Sequence, residues 1–185
     1  MEIKITSQQV LKVLQILSWI IFIGLCIEAG ALIVNTVISL FINPGGVNNF
    51  WEGTTYLSGL YKFDRGYFSA ITLVMIIVAV LKAFMFYLIV KIFTEKKIDL
   101  AHPFNTEFNQ FILMLSYLAF GIGLFSHSGL KYTAWLKGQG AGAADLEQLN
   151  IEGAAVWLFM AVILFVIGHI VKRGVEIQKE NDLTI

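Results

Sequence analysis

Four apolar stretches, residues 16–42, 67–93, 108–130 and 154–171, set the first limit on what this chain can fold into. A hydrocarbon layer ~30 Å thick is crossed by about 20 apolar helical residues, because in lipid each segment must satisfy its own backbone N–H and C=O groups. No stretch shows the sustained apolar/polar alternation of a membrane barrel strand. The sequence therefore predicts an all-α integral membrane protein, with four transmembrane helices in an antiparallel bundle. The spans fall near residues 14–42, 67–93, 106–130 and 151–172. The first run is about twice as long as a signal-peptide core and carries an acid in its middle, so it reads as a span rather than a cleaved leader.

The rest of the composition narrows the function classes. Hydrophobic residues make up 57% of the chain and charged residues 14%, against ~25% charged in an average soluble domain. Thirteen basic and 13 acidic residues cancel, which leaves no basic field suited to direct nucleic-acid binding. Cys26 has no second cysteine to pair with inside the chain. His102, His127 and His169 fall at opposite membrane faces, so they cannot share a metal, and no cofactor motif is present. Ser126, His127 and Ser128 are sequence neighbours, which point in different directions on a helix, and no acid in that span could orient a base. The chain reads as non-enzymatic.

Lysine and arginine orient the spans. The N-terminal segment, the middle loop and the C-terminal segment hold Lys4, Lys12, Lys91, Lys96, Lys97, Lys172, Arg173 and Lys179; the opposite side holds Lys62, Arg65, Lys131 and Lys137. By the positive-inside rule both termini are cytoplasmic, in a cell inner membrane, with outer loops at 43–66 and 131–150 and a cytoplasmic tail at 173–185. The first outer loop is rich in aromatics (Phe50, Trp51, Tyr56, Tyr61, Phe63, Tyr67), which suits a segment lying on lipid headgroups, the alternative being an aromatic ligand cleft. In the second, Gly138, Gly140 and Gly142 lack the dinucleotide-binding spacing, and Asn150 is placed to cap the last helix.

The strongest chemical signal lies inside the spans. Glu28 is about 21 Å from the outer end of its run and Lys82 about 22 Å from the outer end of the next, at 1.5 Å per helical residue. An isolated charge at that depth costs ~2.5–3.5 kcal/mol on insertion scales, so pairing is favoured. Gly24, Glu28, Ala31 and Asn35 share one face of the first helix; Ala79, Lys82, Ala83 and Phe86 share one face of the second. Ser116, Ala119 and Gly123, with Ala161 and Gly168, offer matching small faces on the last two, which allow close approach. Two readings of Glu28, Lys82 and Asn35 stand: a buried ion pair that fixes helix register, or a polar ligand or ion site.

Two further motifs carry a resemblance. "HPFNTEFNQF" precedes the third span and "RGVEIQKENDLTI" closes the chain. With four spans in under two hundred residues, they resemble the bacterial four-helix membrane family known as domain of unknown function twenty-nine seventy-five. Its inner-loop element maps to Pro103 and Phe104, and its terminal element ends in Asn181, Asp182, Leu183, Thr184 and Ile185. The family has no established activity. The resemblance implies a gene neighbourhood that includes a small Xre-like helix-turn-helix regulator, which becomes the candidate cytoplasmic partner beside the lipid bilayer itself. From the residues alone, Gly174 is placed to end the last helix, and Leu183 and Ile185 could anchor a docking tail. The expected function is a sensor or sequestering partner of a cytoplasmic regulator. The alternative is a small transporter, channel or membrane-ligand-binding protein built on Glu28 and Lys82. Self-association as a homo-oligomer is left open.

Overall fold

A computed structural model of the chain describes residues 7–50, 54–95 and 105–182, with side chains described for 9–50, 55–95 and 105–180. Helix α1 (Ser7–Val37) runs on through a π-helical turn, Ile38–Ile42, and a 3-10 turn, Pro44–Asn49. Pro44 disfavours helical geometry at Asn43, which is extended (φ −145°) and accepts the Gly45 N–H on its side chain. A short helix α2 (Thr54–Phe63) follows, then α3 (Arg65–Thr94), α4 (Thr106–Gly138) and α5 (Ala154–Asp182). Asp64 caps α3 by accepting the Tyr67 N–H at 2.9 Å, and Asn105 caps α4 by accepting the Phe108 N–H at 2.7 Å. Four segments, Gln9–Ile42, Arg65–Thr94, Thr106–Gly138 and Ala154–Glu180, are each long and apolar enough to cross a membrane.

Neighbours in the bundle follow chain order: α1 packs on α3, α3 on α4, and α4 on α5. The α4–α5 seam is built from small residues at helical spacing. Ser116, Ala119 and Gly123 of α4 and Ala161 and Gly168 of α5 are all buried, and the Ser116 hydroxyl donates to the Ala161 carbonyl at 2.8 Å. At Gly123 a Cβ would stand 2.8 Å from Leu158 Cγ, so only glycine permits this approach. The outward faces are apolar, with Ile20 and Ile27 of α1 and Phe159 and Ile170 of α5 exposed, as a lipid-covered surface requires.

The most completely buried core lies at the end of the bundle opposite the termini. Leu57 and Leu60 of α2, Phe68 and Ile71 of α3, Leu136 of α4, and Leu149 and Ile151 of the α4–α5 loop are sealed there. Several loop expectations are corrected at this end. Phe50 and Tyr61 pack inward, edge-on to Phe68, with the Tyr61 hydroxyl donating to the Ser39 carbonyl at 3.1 Å, whereas Phe63 stays exposed and Trp51 lies outside the described residues. Helix α4 continues past residue 130 to Gly138, because Gly129, Thr133 and Leu136 keep one face buried although Lys131 and Lys137 end the apolar run. Asn150 does not cap α5. It sits in a left-handed turn (φ 55°), and α5 starts only after Gly153 (φ 72°). At the other end Gly174 does not stop α5. Val171 and Val175 stay buried, Arg173 pairs with Glu176 at 3.0 Å, and one glycine costs only ~1 kcal/mol, so the helix runs to Asp182.

Candidate binding cavity at Glu28

The ring contact between Phe22 of α1 and Tyr87 of α3 (6.1 Å) sets the register of these antiparallel helices. Six residues along α1 from Phe22 is Glu28, and six back along α3 from Tyr87 is Leu81, so Glu28 and Lys82 do stand at one level. They nevertheless make no ion pair. The Lys82 ammonium donates to the Asn150 carbonyl at 3.0 Å, while Glu28 Oε1 is buried and accepts no hydrogen bond. The cause is the α4–α5 loop, which folds inward. Leu149 and Ile151 are fully buried on either side of Asn150, and Ile151 is seated on Gly129, where a Cβ would stand 2.9 Å from its Cδ1. The left-handed turn at Asn150, a conformation that asparagine tolerates, brings its carbonyl within reach of Lys82. Lys82 remains in the field of the Glu28 and Glu152 carboxylates.

The face of α1 buried on α3 is also one residue away from the expected stripe. Ser18, Ala29 and Thr36 are packed, whereas Gly24 and Ala31 are exposed and Glu28 and Asn35 half-buried. The stripe instead lines a cavity of about 300 Å³. Its remaining wall comes from Ile27 and Leu32 of α1, Phe50, Met75 of α3, and Gln148 and Asn150 of the loop. Asn35 donates its side-chain amide to the Asn49 carbonyl at 3.1 Å, tying the 3-10 turn to α1 and leaving its amide oxygen as the acceptor. The site is thus an apolar chamber whose ionisable wall group is one carboxylate. The loop residues were missed in the sequence because Leu146, Leu149 and Ile151 were assigned to a surface segment; their apolar spacing is the signal that could have found them.

A second cleft, about 230 Å³ between the C-terminal end of α3 and the N-terminal end of α4, is bordered by Lys91 and Glu95, which stand 3.9 Å apart and are both exposed. Asn181 and Asp182 close α5, but their side chains lie outside the described residues, as do Leu183, Thr184, Ile185, Pro103 and Phe104.

The family model described as protein of unknown function (DUF2975) matches residues 52–185, most of the chain. The chain belongs to this family. For this DUF2975 protein, neither the curated proteins nor the solved structures give a match. The matched segment contains Met75, Lys82, Gln148 and Asn150, while Glu28 and the rest of α1 precede it. The cavity therefore joins a wall inside the matched segment to one outside it.

Proposed function

We propose that this DUF2975 protein is a non-enzymatic membrane sensor that binds a small ligand in the Glu28 cavity. One observation carries the reading: a carboxylate oxygen buried without a hydrogen-bond partner, in the wall of a cavity halfway along a membrane-length helix. A buried acceptor left unsatisfied costs about 1–3 kcal/mol, more when charged, and a ligand that donates to it recovers that loss. The test is a melting panel of small cationic, anionic and neutral amphiphiles on the full chain in lipid nanodiscs. A saturable rise in Tm for any of them, abolished in Gly24→Leu, supports the reading. No shift for any compound overturns it, and uptake of a probe into proteoliposomes would move the assignment to transport.

The output side of the proposal rests on α5, which stays helical to Asp182 and presents Lys172, Arg173, Lys179 and Glu180 to solvent. Taking both termini as cytoplasmic, we propose that this end of the chain docks a cytoplasmic regulator, the Xre-like protein that the family resemblance implies. Deleting 181–185 should leave the melting behaviour intact and remove co-elution with that regulator. Equal co-elution of the truncated and full chains would remove the tail from the mechanism.

A further inference from the structure

We propose that the ligand is a primary ammonium on a small apolar body, reaching the cavity sideways from the bilayer. The inference rests on the cavity reading above and adds the chemistry of what enters. The wall holds no Lys, Arg or His among the described residues. Its ionised group is an acceptor, and Glu28 Oε1 accepts nothing; Asn35 gives one amide N–H to the Asn49 carbonyl, and the Asn35 and Gln148 carboxamides can each donate or accept, so the carboxylate sets the charge the ligand must meet. The nearby cation, Lys82, is anchored on the Asn150 carbonyl and does not line the chamber. An anion would meet a carboxylate, and a neutral donor would leave the charge in place. An ammonium supplies both the proton and the counter-charge, and in a low-dielectric site that pairing is far stronger than in water.

The remaining wall selects the rest of the molecule. Ile27, Leu32, Phe50 and Met75 are apolar, and about 300 Å³ lies at the small end of ligand cavities, so a short alkyl chain or a single ring fits. Gly24 and Ala31 are exposed on the same face, and a Cβ at Gly24 would meet nothing within 4 Å. The wall is therefore low on the side that faces lipid. A phospholipid carrying an amine headgroup shares the ammonium chemistry, but Glu28 lies about 21 Å along the helix from Ile42, too deep for a headgroup at rest.

The experiment uses the full chain in phosphatidylcholine nanodiscs, with melting followed by tryptophan fluorescence and hexylammonium, hexan-1-ol and hexanoate as probes. Hexylammonium should raise Tm saturably by about 2–4 °C, and the alcohol and carboxylate should not. Glu28→Gln, which keeps the shape and removes the charge, should weaken the apparent affinity at least tenfold. Glu28→Asp should weaken it less and stands in if the glutamine variant does not fold. Gly24→Leu should abolish the shift by filling the chamber. A hexylammonium shift unchanged in both Glu28 variants overturns the proposal. A shift from hexanoate or hexan-1-ol alone, lost in Gly24→Leu, overturns the ammonium assignment and leaves the cavity standing; no shift from any probe overturns both. A Tm rise on exchanging phosphatidylcholine for phosphatidylethanolamine, with loss of the hexylammonium effect, would assign the ammonium to a lipid headgroup instead.

Discussion

Lys82 hydrogen-bonds a peptide carbonyl although a carboxylate stands at its own level. The ammonium thereby holds the inward-folded loop, and its charge still acts on Glu28 through the field. Lys82→Met removes both effects at once, stranding the Asn150 carbonyl and taking a cation out of the field at Glu28. It should cost about 2–3 kcal/mol in thermal unfolding. The double variant Glu28→Gln/Lys82→Met should lose less than Lys82→Met alone, and additive losses would show that the two residues are independent. A second residue makes a pH-dependent prediction. The Tyr56 hydroxyl of α2 is buried without a partner, and burial, reinforced by Tyr132, pushes its phenol above the ordinary 10.0. The folded state then holds this proton more tightly than the unfolded chain. The stability tied to it is complete below about pH 10 and is lost as pH climbs through the higher folded value. Tyr56→Phe should leave stability at neutral pH unchanged or raised by up to about 1 kcal/mol, and flatten the alkaline fall in a melting series.

Helices show which physical signals survive in the bare sequence. The four spans were legible because hydropathy over a bilayer length is additive along the chain, and the small faces of α4 and α5 were legible because close packing demands small residues at a fixed period. Gly123→Leu should therefore separate α4 from α5, losing about 1–3 kcal/mol or more and exposing α5 to limited proteolysis. Gly30→Ala is the contrast, since its Cβ meets nothing within 4 Å, and it should gain about 0.5–1 kcal/mol of helix stability in the same assay. The misses share one cause. The last turns of α4, the helix in the first loop and the burial of Leu149 and Ile151 depend on partners distant in sequence, and local polarity at Lys131 or Asn150 pointed the other way. The cavity was half legible. Glu28 and Asn35 stood out as polar groups in an apolar span, whereas Phe50, Met75, Gln148 and Asn150 reach them only through the tertiary fold.

At the scale of the whole molecule, the uneven distribution of Lys and Arg predicts a sidedness. In a Cys26→Ala background, cysteines at Asn48 and Gln139, both exposed, should react with an impermeant thiol reagent applied from outside, while one at the exposed Lys179 should react only after the membrane is opened. The reverse labelling pattern inverts the topology. The chain-order packing has a further consequence, which concerns time. Helix α1 has its main helical neighbour in α3, yet leaves the ribosome before it. Glu28 and Lys82 are 54 residues apart, roughly 3–11 s of synthesis at 5–20 residues per second. For that interval the helix bearing the one mid-span acid waits in the insertion machinery or in lipid without its partner. Its insertion then depends on the isoleucines and leucines around Glu28, and a substitution such as Ile27→Asn would act during biogenesis, before any folded bundle exists to be destabilised.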